Sequence, residues 1–416
     1  MVFYSRFIGL LVGLCLIVIL LTYRSFETKF VFYLSWLSGL FIVVLFASTT
    51  IIKVKLDRVT ALILSIIVPW VVIGLLFSPF AFDKAEHFKV FIITTFYMIT
   101  SVFLADFIIK SKINIRQLTF IMLNAWSVVN LLLLVLFFLG VYVPEKHEFS
   151  GVFHDRNVFS ITTLLVIGFA VSHLDVNCNR ISKFAVYFSV SACFLMIIIS
   201  KSITGNLGLL VLMFLYSQRF SLIMRVITFG FLISVLVLVV ITDNPLSARI
   251  SRFVIGIMGD TDSLNTNESA YLRIYLIKSG FELIMQYPWF GVGLNNAKEF
   301  VVWPDREYGS FLHNTYLDIF TSGGIPLFVV YYSPIFYSFF SLLKCRIKVR
   351  ANLADRYYSL WKLAFVTLSL KLICDLSWTT YFEYFMVFTV IFSIYITFYL
   401  KRLLRQRSLN LKSPLQ

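Results

Sequence analysis

Two side chains in the longest polar stretch of the chain are the most telling chemically. His313 lies in Phe311-Leu-His-Asn-Thr-Tyr-Leu-Asp-Ile-Phe-Thr-Ser-Gly-Gly-Ile-Pro326. Its imidazole, neutral near pH 7, is able to take a proton from a hydroxyl. Arg273 heads an amphipathic run from Ala270 to Met285. A guanidinium fork suits the oxygens of a diphosphate, and its charge-assisted bonds strengthen as a phosphate departs. On the apolar face of such a run an arginine needs an anionic partner, either a bound phosphate or a lipid headgroup. His313 reads equally as a helix cap, and Asn314 beside it is grouped with it as a substrate-binding candidate.

Further candidates flank these two. Lys201 and Thr204, in Ile199-Ser-Lys-Ser-Ile-Thr-Gly-Asn206, sit at a tight turn between apolar runs, where a lysine binds phosphate or snorkels to the headgroups. Arg249 and Arg252 open the polar stretch and serve either a diphosphate or lipid phosphates. Phe149-Ser-Gly-Val-Phe-His-Asp-Arg-Asn-Val158 gathers His154, Asp155, Arg156 and Asn157. Arg156 and Asn157 are candidates for contact with glycan, while Asp155 and Arg156 also read as partners for nearby loop charges. Lys371 and Asp375, four apart, share a helix face and neutralise each other. No His-Glu-x-x-His pattern or carboxylate–histidine cluster suggests a metal, and Asp260, Asp262 and Glu268 read as solvated surface.

The elements that must position these residues are membrane spans. The chain has 416 residues, 59% of them hydrophobic and only 14% charged, with 45 Phe, far from the balance of a soluble domain. About twelve apolar runs have spanning length, at 7–22, 30–52, 59–80, 90–109, 117–143, 158–173, 184–200, 204–217, 226–242, 322–343, 359–379 and 382–400. The expected fold class is therefore an all-α polytopic bundle. It divides into an N-terminal bundle over 1–242, a large loop containing amphipathic helices over 243–321, three C-terminal spans over 322–400, and a disordered basic tail over 401–416. The run from Phe7 follows Arg6 without a small-residue cleavage site and reads as an uncleaved first span.

With the N-terminus inside, the inner segments hold most of the Lys and Arg, including Lys53-Val-Lys55, Arg58, the cluster from Lys344 to Arg350, and the tail from Lys401. That asymmetry places both termini in the cytoplasm and the long loop outside. The net charge of +15 thus orients the protein and anchors it to anionic lipid; it forms no continuous basic stripe, which excludes a nucleic-acid partner. The five cysteines fall in spans or inner loops and read as fillers rather than as disulfides or metal ligands. Of the histidines, His87, His147, His154 and His313 lie on the outer side.

Three local patterns then coincide. They are Arg273 running into Tyr287-Pro-Trp-Phe-Gly-Val-Gly293, then His313-Asn314, then Gly324-Ile-Pro326 at the mouth of a span. Together with a long outer loop late in the chain, they resemble the O-antigen ligase/polymerase family of bacterial envelope glycosyltransferases. The loop at 151–157 and the turn at 200–205 are similar to further landmarks of that family. The resemblance implies a multi-pass protein of the bacterial inner membrane that transfers a glycan from an undecaprenyl-diphosphate carrier at the periplasmic face, inverting the anomeric centre, without metal, cofactor or nucleotide sugar. The acceptor is the growing chain or lipid A–core, and membrane lipids surround the site. The resemblance further implies that the histidine matching His313 assists the acceptor hydroxyl and that the arginine matching Arg273 holds the diphosphate, with Lys201 and Arg252 in support.

Ligases of the family commonly carry an arginine where this chain has Ile203, and a small residue or Tyr where it has Leu327. Both departures favour a polymerase of O-antigen or capsule repeat units over a ligase. A flippase or transporter of lipid-linked oligosaccharide is the rival class, and Lys371 with Asp375 is compatible with it. Sugar identity, oligomeric state and any chain-length regulator are not legible.

Overall fold

The computed structural model describes residues 58–110, 115–142, 149–171 except 152 and 154, 180–217, 269–301, 309–376 and 384–410, with single positions between 223 and 234. The expected spans at 7–22 and 30–52, most of that at 226–242, and Arg249, Arg252, His147 and His154 lie outside the described residues. Among those described, the regular structure is helical: α1 Arg58–Phe77, α2 Lys84–Lys110, α3 Ile115–Phe138, α4 Arg156–Val171, α5 Arg180–Ile199, α6 Ile203–Ser217, α7 Ser269–Gln286, α8 Ala297–Phe300, α9 Thr315–Asn352, α10 Asp355–Cys374 and α11 Tyr384–Asn410.

Among the described residues, five stretches are long and apolar enough to cross a membrane: Val59–Phe80, Lys84–Lys110, Gln117–Phe138, Thr315–Asn352 and Phe385–Leu409, while α4, α5 and α6 are shorter apolar helices. The expected run at 359–379 corresponds to α10, which is not among the five. Lys362, Lys371 and its hydroxyl-bearing residues lower its hydropathy, and it packs instead among α4, α6, α9 and α11. Burial follows the same division. The apolar window of α11 is 67% buried and that of α2 56%, against 33% for α1, α3 and α9, so α11 and α2 form the centre and the others face lipid.

Inside the bundle, a few buried polar groups join one helix to another. Asp106 of α2 accepts from Thr60 of α1 at 2.8 Å and from Tyr395 of α11, and it pairs with Lys110 at 2.7 Å. Trp126 Nε1 donates to Thr163 at 3.0 Å, tying α3 to α4. In a surround without water such groups cost several kcal/mol unless they meet one another, so each pair fixes a helix crossing. Residues 401–410, expected as disordered tail, continue α11 without a break. Free Cys193, Cys345 and Cys374 are buried, as fillers would be.

The candidate active site

Loops expected on the outer side meet at one end of the bundle, and α9 shows how. Its helix is broken by non-helical backbone at Gly323 (φ −144°, ψ 21°) and Gly324 (φ 63°, ψ −162°). A break there strands the carbonyls of Thr321 and Ser322 and the amide of Ile325, and Pro326 has no N–H to offer Ser322. The turn 287–293 satisfies all three: Val292 N–H donates to Thr321 O at 2.8 Å, Gly293 N–H to Ser322 O at 2.9 Å, and Ile325 N–H to Pro288 O at 2.9 Å. Contact is so close that a Cβ on Gly324 would lie 2.4 Å from the Trp289 carbonyl. Tyr287–Gly293 and Gly323–Pro326, separate in sequence, are thus two sides of one junction.

The same turn is clamped to the start of α2. His87 Nδ1 accepts from Leu294 N–H at 3.0 Å, so its Nε2 carries the proton and donates to Gly74 O at 3.0 Å. Glu86 accepts from Asn295 and pairs with Lys298 at 3.1 Å, and Phe290 stacks on Phe80 at 4.4 Å. His87, grouped by sequence with the outer histidines, is therefore a structural fastener. Below this clamp Leu276 and Leu283 of α7 pack with Val292, Ala297, Val301, Leu312 and Leu317 in a second small core.

His313 sits between that core and the end of α10. Leu312 before it is 2% exposed, and Asn314 after it caps α9 by accepting from Leu317 N–H at 3.1 Å. The last carbonyls of α10, which a helix leaves without partners, hold the segment in place. Leu372 O accepts from Tyr316 OH at 2.8 Å, Asp375 O from Thr315 N–H at 2.8 Å, and Leu376 O from Asn314 Nδ2 at 3.1 Å. Beneath lies the ion pair of Lys371 with Asp375, 1% and 0% exposed, whose carboxylate also accepts from Tyr332 OH at 3.0 Å. The expected neutral pair thus sits at the end of α10, where the Asp375 carbonyl holds Thr315, two residues after His313. Sequence gave no sign of that service, because the contacts run through backbone carbonyls.

Arg273 lies on α7 two turns before Gly280, where a Cβ would come within 3.2 Å of Leu317 and 3.4 Å of Leu312. Residues seven apart share a face about 10 Å apart along the axis, so Arg273 is on the face of α7 turned to the His313 segment. Lys201 forms the exposed turn between α5 and α6, where Ser202 Oγ donates to Asn157 Oδ1 at 2.8 Å and links it to the start of α4. Arg156 is the first, half-buried residue of α4, and Thr204 is buried at 3%. Asp155, read as a partner for loop charges, instead caps α4 by accepting from Asn157 N–H at 2.6 Å and Val158 N–H at 3.2 Å. The N-terminal amides of the helix draw it there.

One feature of the backbone is common to Lys201 and His313. Among the described residues, three non-glycine residues have left-handed backbone: Lys201 (φ 54°), Asn295 (φ 60°) and His313 (φ 49°). That conformation costs an ordinary L-residue on the order of 1 kcal/mol and persists where the surroundings over-determine it, commonly at functional sites. Two of the three are candidates from sequence. Asn295 was not, since nothing in its neighbours marks it.

The architecture defines a helical membrane protein with a polar site assembled from loop junctions at one end. Residues 186–332 match the family model of the O-antigen ligase, which supports assignment to the O-antigen ligase/polymerase family and a role of that type in polysaccharide biosynthesis. The matched stretch runs from α5 through the α9 break and contains Lys201, Thr204, Arg249, Arg252, Arg273, His313 and Asn314, but neither Arg156 nor Asn157. A comparison with curated proteins gave no match.

Proposed function

We propose that the protein is an inner-membrane glycosyltransferase that moves a glycan from an undecaprenyl-diphosphate carrier to an acceptor sugar hydroxyl at the periplasmic face, as a repeat-unit polymerase. The observation that carries this reading is the left-handed, doubly anchored His313 on the side of α7 that bears Arg273. The leaving group is a lipid diphosphate, so the protein has only to position the hydroxyl and stabilise departing charge. His313 accepts the hydroxyl proton as oxygen attacks the anomeric carbon. Arg273, with Lys201, Arg249 and Arg252, binds the diphosphate as its bond to the sugar breaks, and Arg156 and Asn157 frame the glycan end, while buried Thr204 and the capping Asn314 support the turns that carry Lys201 and His313. Cationic side chains do here what a metal would do elsewhere. Attack opposite the diphosphate inverts the anomeric centre.

The ligase reading is retained because the matching family model is described as O-antigen ligase. Gene disruption separates the two. Loss of a polymerase leaves lipid A–core carrying a single repeat unit, and loss of a ligase leaves bare core with lipid-linked polymer accumulating. Complementation with His313→Ala is expected to reproduce the disruption pattern at normal protein abundance. Full-length polymer from that variant refutes the assignment, and flipping of a lipid-linked glycan in vesicles without transfer points to a transporter instead.

A further inference from the structure

The end of the bundle away from His313 carries a second polar feature that transfer chemistry does not use. A cavity of about 580 Å³ opens between the last turns of α9 and α11, lined by Lys344, Lys348, Lys401, Arg405 and Arg407 together with hydroxyl and amide side chains, with no carboxylate among the described residues of its wall. From the α9 break at Ile325 to Lys344 the helix rises about 29 Å, the thickness of a bilayer core, so this cavity and His313 belong to opposite leaflets.

Charge clusters that merely orient a membrane protein have no need to converge. Here they do, and at a cost: Lys344 with Lys348 and Lys401 with Arg405 are like-charge pairs four residues apart on their helices, each unfavourable by itself. Tyr337 holds Lys401 toward α9 by accepting its hydrogen bond. Beside the cavity Phe340, Leu343 and Ile347 form one exposed apolar stripe of α9, suited to acyl chains. We propose that the cavity binds a pair of phosphate groups, supplied by the headgroup of an anionic membrane lipid that carries two of them. Five cations exceed what one phosphodiester neutralises, and the adjoining stripe gives the tails a path.

The test uses the full-length protein, delipidated in detergent and titrated with diphosphatidylglycerol, phosphatidylglycerol, phosphatidylcholine and inorganic pyrophosphate. Diphosphatidylglycerol is expected to bind more tightly than phosphatidylglycerol, with phosphatidylcholine showing no saturable binding. Lys348→Gln/Arg405→Gln is expected to weaken diphosphatidylglycerol binding by about tenfold or more. Lys183→Gln, which removes an exposed charge from α5, leaves it unchanged. A second pair, Lys344→Gln/Arg407→Gln, should repeat the loss and guards against misfolding of the first. Equal binding by the double variants and Lys183→Gln overturns the site. Pyrophosphate binding as tightly as the lipid overturns the lipid source in favour of a soluble anion.

Discussion

At the scale of single residues, the geometry separates what His313 does for the fold from what its imidazole does for chemistry. Its left-handed backbone is imposed by Leu312 and Asn314 on either side. His313→Gly should relieve about 1 kcal/mol of backbone strain, since glycine adopts that conformation without penalty, and should melt above His313→Ala, which loses the same imidazole contacts and keeps the strain. It should also make no polymer. A thermal melt no higher than that of His313→Ala would show that the backbone there carries no strain. The ion pair at the end of α10 behaves differently. Asp375→Asn leaves the Lys371 ammonium buried without its counter-charge and should cost about 3–5 kcal/mol, whereas Lys371→Met combined with Asp375→Asn should recover much of that loss. Equal melting of the single variant and the natural protein would mean that the pair is solvated.

At the scale of elements, two helix ends are completed by other parts of the chain. The end of α10 receives donors from residues 314–316, and the break in α9 receives them from 288–293. Gly324→Ala should destabilise the protein by more than about 2 kcal/mol, because a methyl group there meets the Trp289 carbonyl at 2.4 Å and the backbone is left-handed. Retained melting temperature and activity in that variant would deny the junction. Helix α7 faces two ways: Leu276 and Leu283 are buried on one side, while Phe281 (56% exposed) and Met285 (81%) project from the other, with exposed Trp289 in the turn that follows. An exposed apolar stripe ending in Trp is the pattern of a helix lying at a membrane surface.

At the scale of the whole molecule, hydropathy made the bundle legible, and Lys/Arg placement made its two ends distinguishable. Segments 81–87, 287–298 and 311–316, all assigned outside by charge, do meet at one end, with 155–157 held to 200–202. An alkaline phosphatase fused just before Thr315 should be active and a green fluorescent protein there dark, and the reverse result would remove the site from the periplasm. What was not legible has a common cause. The turn 288–293 reaches α9, His87 reaches Leu294, and residues 314–316 reach α10 through backbone amides and carbonyls, which every residue type carries. Side-chain identity signals such contacts only where glycine or proline is required, which is why Gly323-Gly324-Ile-Pro326 could be read as a bend while its partner could not. Helix α9 starts at Thr315, where Asn314 caps it, and its break at Gly323–Gly324 falls at the start of the apolar run expected from 322.

The break in α9 looks like a hinge, yet its hydrogen bonds make it the reverse. Swinging the first turns of that helix would strip three backbone groups of their partners at once, so under the proposed function this corner stays shut and the sugars enter elsewhere around the rim. Cysteines placed at Pro288 and Ile325, in a background without native thiols, and joined by a short cross-linker should therefore leave turnover unchanged. A locked enzyme that stalls would show that the corner parts to let substrate in.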